Sequence, residues 1–132
     1  MRLVLDTNVL IAAFISHGVC NELFEHCALH HEMVLSDFIL DEMKNSLTRK
    51  FSFSVAAADD AVRLVESRSE IVQAVRLAFP VCRDPDDDSI IATAKAGQCV
   101  CIVTGDKDLL DLGTVDSIRI VSPGSFWEFE ST

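Results

Sequence analysis

Two spacings of apolar residues alternate along the chain. "RLVL" (Arg2–Leu5), "EMVLS" (Glu32–Ser36), "CVCIVTG" (Cys99–Gly105) and "SIRIVS" (Ser117–Ser122) are short, almost unbroken apolar runs. That is the pattern of strands buried on both faces in a parallel sheet. Between them, apolar residues return every three or four positions: Leu23, Phe24, Cys27 and Ala28 within Cys20–His30, Leu40, Met43 and Leu47 within Asp37–Lys50, and Ala61, Leu64 and Val65 within Ala56–Arg68. Each set marks the inward face of a helix. "VLIAAFI" predicts a further helix after Asp6, Asp86–Ala96 another closed by Gly97, "DKDLLDL" a helical turn, and the segment after Pro123 a short C-terminal helix. Glu70–Val72 supplies a fifth short strand, and Leu77–Val81 reads as loop. Strands alternating with helices predict an α/β fold, a parallel sheet with helices on both faces. Ligands of such sheets bind beyond the carboxyl ends of the strands, where the strand order reverses.

At 132 residues the chain fits one domain spanning 1–132, and 49% hydrophobic residues suffice for a packed core. No run reaches the ~20 apolar residues of a membrane span, and Asp6 interrupts what would be a signal peptide's apolar region. A cytoplasmic protein with no membrane partner is expected. The five cysteines are odd in number and contain no Cys-x-x-Cys pair, which favours buried reduced thiols over disulfides or a zinc site. The net charge of −10 excludes nucleic-acid binding by bulk positive charge, but not binding through metal ions.

That negative charge is concentrated in "DPDDDSIIATA" (Asp84–Ala94). Asp84 followed by Pro85 is a helix start: the carboxylate caps free N–H groups, and Pro85 has no N–H to leave unsatisfied. The remaining acids exceed what the helix dipole needs. Other acids fall at the same predicted rim: Asp6 at the end of the first strand, Asp106 after the Cys99–Val103 strand, Glu42 in the second turn of one helix and Asp87 in the first turn of another. Two unit charges 4 Å apart repel by about 4 kcal/mol at an effective dielectric near 20. Such a cluster raises its pKa values or takes up a cation, and carboxylate ligands suit Mg²⁺ or Mn²⁺.

"LDTNVLI", "SDFILDEM", "DPDDDSIIATA" and "IVTGDKDLL" resemble, in order and spacing, the motifs of PIN-domain nucleases, and "PGSFWEF" extends the likeness to the end of the chain. Among these the chain is most similar to the bacterial VapC-like toxins of toxin–antitoxin pairs. The resemblance implies a three-layer α/β/α sandwich with a five-stranded parallel sheet, an acidic Mg²⁺ or Mn²⁺ site and cleavage of single-stranded RNA. Carried over, it makes Asp6, Glu42, Asp87 and Asp106 the metal ligands, with Asp88 as the alternative within the tripled aspartate. Asn8 and Thr104 match polar residues that orient water or carboxylates. It also implies a small antitoxin partner and a homodimer or larger homo-oligomer, with Trp127 or the Ala56–Arg68 helix as contacts. It leaves open whether one ion binds or two.

Other residues are assigned more modest roles. Arg49, Lys50 and Lys107 are the basic candidates for RNA contact, with Arg83 and Lys95 beside them. Asp41, Asp108 and Asp111 read as surface acids. His26, His30 and His31 suit the carboxyl end of a helix dipole rather than a metal. His17 falls in a loop that could touch substrate, without further support. Phe126, Trp127 and Phe129 read as packing residues. A non-catalytic PIN-like module, docking a protein in its acidic cleft, is the alternative function. A phosphoacceptor receiver domain would need paired acids after the first strand and a lysine after the last; this chain has neither.

Overall fold

The computed structural model describes residues 1–16 and 18–132; His17 lies outside them. The elements run β1 (Arg2–Leu5), α1 (Thr7–Ile15), α2 (Val19–His30), β2 (Glu32–Ser36), α3 (Asp37–Arg49), α4 (Val55–Ser67), β3 (Ser69–Val72), α5 (Pro85–Ala96), β4 (Cys101–Val103), α6 (Lys107–Leu112), β5 (Thr114–Val115), β6 (Ile118–Val121) and α7 (Phe126–Glu130). The sheet order is β3-β2-β1-β4-β6-β5. The first five of these pair in parallel, and β5 adds an antiparallel edge to β6. Leu3, Val4 and Leu5 are consecutive and all buried, as are Val34 with Leu35 and Cys101 to Val103, so both faces of the sheet are covered. The three-layer α/β expectation holds, with one additional strand.

That strand is a hairpin whose turn, Asp116–Ser117, holds positive φ at both residues (46° and 71°). This is the twist of a two-residue connection, made without the usual glycine. β4 also starts later than its apolar run. The amide of Cys99 donates to the Ala94 carbonyl (2.9 Å) and closes α5, so pairing begins only at Cys101. At that closure a Cβ on Gly97 would stand 2.5 Å from Val34 Cγ1, so glycine is what lets α5 end against β2.

The helix faces match their spacing except at Leu64. Ala58, Ala61 and Val65 turn inward from α4, but Leu64 is 42% exposed. It lines an apolar groove of about 370 Å³ with Phe14, Phe24 and Leu29. The cysteines are all free, and Cys27, Cys99 and Cys101 are buried. Among the described residues, no helix is long and apolar enough to cross a membrane.

The strand order reverses between β1 and β4: the chain builds outward from β1 through β2 to β3, then returns to pair β4 on the other side of β1. The crevice beyond the carboxyl ends of β1 and β4 is where this class of sheet binds its ligands.

Candidate active site

Residues leaving these two central strands occupy that crevice. Asp6 follows β1 and is 6% exposed, its amide held by the Val103 carbonyl (2.9 Å). It stands at the N-cap position of α1, yet its side chain makes no capping bond. The Thr104 hydroxyl donates to Asp6 Oδ2 at 2.7 Å instead. Thr104, fully buried after β4, also accepts from the Asp106 amide at 3.0 Å, so one hydroxyl ties the ends of both strands together. Burial lifts the Asp6 carboxyl above the usual carboxylate range, and the bond from Thr104 opposes the rise.

Asp106 caps α6, accepting from the Asp108 amide at 2.8 Å. Asp87, in the first turn of α5, is 8% exposed. Oxygens of Asp87, Asp106 and Asp108 all lie within 4.8 Å of one another. Burial, then the charges of Asp106, Asp84, Asp6 and Asp108, push the Asp87 carboxyl up to about 6. Burial also raises Glu42, a half-buried residue of α3 that feels the charges of Asp86, Asp6 and Asp84. The nearby Thr7 hydroxyl draws it partly back; that hydroxyl is buried and makes no well-formed hydrogen bond.

The predicted acids therefore separate into a centre and a margin. Asp87 and Asp106 meet, Asp6 stands beside them within their field, and Glu42 joins from the α3 side. Asp108, which the sequence suggested was a surface acid, completes the central group. Its only signal was its position two residues beyond a capping aspartate. Asp88 turns away: its carboxylate accepts from the amides of Val81 (3.1 Å) and Cys82 (2.8 Å), which ties down the loop before α5. Asp84 is the cap expected of it, accepting from the Asp86 amide at 2.9 Å. Asn8 is exposed on the first turn of α1.

The basic candidates divide as well. Arg49 and Lys50 share a groove of about 350 Å³ along α3 with Asp41 and with Glu42, the one crevice acid that lines it. Lys107 points outward and pairs with Asp111 (2.8 Å). Arg83 pairs with Asp108 (3.0 Å), placing one cation at the edge of the acidic group. Lys95 pairs with Asp116 (2.9 Å). All the oxygens offered at the centre are carboxylate oxygens, the donor type that hard divalent cations such as Mg²⁺ and Mn²⁺ prefer.

The family model described as "PIN domain" matches residues 2–108. The chain belongs to the PIN-domain family. An uncharacterized protein of Methanocaldococcus jannaschii is 29% identical over 119 residues, covering 85% of this chain and 75% of that one. Among solved structures, this PIN domain is similar to Rickettsia felis VapBC2 bound to a promoter DNA fragment, with a TM-score of 0.66 and 16% identity over 92% of this chain and 98% of that one. It is also similar to Mycobacterium tuberculosis VapC20, described as a Sarcin-Ricin loop cleaving toxin, with a TM-score of 0.62 and 14% identity over 89% of this chain and 98% of that one. At these identities the likeness is one of fold. In PIN-domain terms, the match spans β1 to the start of α6, so it contains every acid of the crevice.

Proposed function

We propose that this PIN domain is a divalent-metal-dependent endoribonuclease that hydrolyses single-stranded RNA, and that it serves as the toxin of a toxin–antitoxin pair. The carrying observation is the meeting of Asp87, Asp106 and Asp108 at the switch point of a parallel sheet, with the buried Asp6 beside them. Asp6, Asp87, Asp106 and Asp108 would hold Mg²⁺ or Mn²⁺, with Glu42 reaching in from α3. Bound there, the ion supplies Lewis-acid chemistry and a water made nucleophilic at neutral pH. Thr104 favours the ionised form of Asp6 and fixes its orientation; Arg49 and Lys50 draw the phosphate backbone along the α3 groove; the exposed Asn8 faces the solvent side, where it can orient water. A toxin also needs a neutralising partner. The apolar groove between α1, α2 and α4, with Leu29 74% exposed, is surface that a small antitoxin or a second copy of the chain would cover.

The test is cleavage of a labelled single-stranded RNA with Mn²⁺, with Mg²⁺ and with chelator. Cleavage is expected only with metal, and Asp6→Asn is expected to lose at least ~100-fold, the scale of removing one preorganised charge-stabilising group. Tight RNA or protein binding without any metal-dependent cleavage would favour the non-catalytic docking module. An Asp6→Asn variant that cleaves as well as the parent would refute the assignment.

A further inference from the structure

A second convergence of ligand atoms lies at the other end of the sheet, away from the acidic crevice. α2 ends there, with His26 in its last turns and His31 just beyond it, the His31 amide closing the helix on the Cys27 carbonyl (3.0 Å). α7 brings Glu130 to meet them. His26 Nε2 stands 2.6 Å from Glu130 Oε2, and His31 Nε2 contacts the same oxygen. The three ligand atoms lie within 4.8 Å of one another, and all three residues are half-buried.

The surroundings give this cluster a dry wall and a fixed frame. Phe126, fully buried, meets the His31 ring edge-on at 5.8 Å between centroids, and Trp127 meets the His26 ring at 4.8 Å. The carboxyl end of α2 carries the negative end of its dipole, which favours a cation. Two imidazole nitrogens and one carboxylate make a different donor set from the all-carboxylate crevice: they suit Zn²⁺, and by the same chemistry Co²⁺ or Ni²⁺, rather than Mg²⁺. A tetrahedral ion with bonds of about 2.0–2.1 Å needs ligand atoms about 3.3 Å apart. The His26–Glu130 separation of 2.6 Å would need to open by roughly 0.7 Å to match.

We propose that His26, His31 and Glu130 form a binding site for a transition-metal ion of the Zn²⁺ class, which staples α7 to the end of α2. The site has three protein ligands and leaves the fourth position to water. It is separate from the crevice in place and in metal preference, and it does not depend on the nuclease reading.

Trp127 is the only tryptophan in the chain and lies against His26, so its fluorescence reports on the site directly. Untagged protein is titrated with Co²⁺ near neutral pH. Saturable quenching at one molar equivalent is expected, reversed by Zn²⁺ and not reproduced by Mn²⁺. His26→Gln and Glu130→Gln are each expected to weaken it at least 10-fold. Should a variant fail to fold, the parent protein still decides the matter. Under diethylpyrocarbonate, Zn²⁺ is expected to shield His26 and His31 while the exposed His30 still reacts, as read by mass spectrometry. Quenching that does not saturate, equal quenching in a folded His26→Gln variant, or unshielded histidines would each overturn the proposal and leave the cluster a hydrogen-bonded triad.

Discussion

Replacing Asp87 with asparagine should stabilise the metal-free protein, an unusual outcome for a buried first-turn aspartate. The Asp87 carboxyl stands at about 6 in the fold against an ordinary 3.8. The fold therefore holds its proton more tightly than the unfolded chain does. Below about pH 3.8 both states are protonated and the group is neutral in its effect. As pH rises through 6 the fold must ionise it first against its own burial and then against the charges of Asp106, Asp84 and Asp6, and the penalty becomes complete. At 1.36 kcal/mol per pKa unit, the ceiling is about 3 kcal/mol, and solvent at the rim of the crevice reduces it, giving roughly 1–3 kcal/mol. Unfolding entropy of about 2.1 cal/mol/K per residue, taken over a chain of this size, makes 1 kcal/mol worth about 4 °C of Tm. Asp87→Asn should then raise Tm by about 4–11 °C in chelator at pH 7.5 and change it little at pH 4. Adding Mn²⁺ should stabilise the parent by relieving the same repulsion and the variant much less. Thermal scans followed by circular dichroism measure both proteins under all three conditions. A variant no more stable than the parent in chelator at pH 7.5, or equally stabilised at pH 4, would refute the picture of an acidic cluster held under mutual repulsion.

Two further substitutions probe the supports of the site. Thr104→Val removes the bond to Asp6 Oδ2 and the acceptor for the Asp106 amide. It should cost about 1.5–3 kcal/mol in chemical denaturation and raise the Asp6 pKa further, whereas Thr104→Ser should retain most of both; equal effects from the two would mean that packing, not the hydroxyl, is what matters. Asp88→Ala frees the amides of Val81 and Cys82. It should lower stability by about 1–2 kcal/mol while leaving the Mn²⁺-dependent rise in Tm intact; losing that rise would restore Asp88 as a ligand.

The strands of the central sheet were legible because burial on both faces leaves an unbroken apolar run, and the helices because one-sided burial leaves a three-and-four spacing. What the sequence concealed were features decided by contacts between distant segments. Leu64 has the spacing of a core residue, but α4 faces inward through Ala58, Ala61 and Val65. β5 is two residues long, and its turn contains no glycine to announce it. The histidines at the end of α2 were read for their helix alone, since Glu130 reaches them across about a hundred residues of chain.

Asp108 shows the limit most sharply, because the same local pattern occurs twice with opposite results. Asp84 accepts from the amide of Asp86 at 2.9 Å, and Asp106 accepts from the amide of Asp108 at 2.8 Å. Each pair opens a helix with a capping aspartate and a second aspartate two residues on. Yet Asp86 is exposed and outside the central group, while Asp108 joins Asp87 and Asp106. Capping chemistry cannot distinguish them. The difference is where each helix begins: α6 follows β4, a strand that borders the switch point, after three intervening residues, whereas α5 is reached through a long loop and brings into the central group the residue one position further on, Asp87. A capping pair joins the acidic group when the sheet delivers its helix to the crevice, so the placement of a carboxylate here is set by topology and its local conformation by sequence.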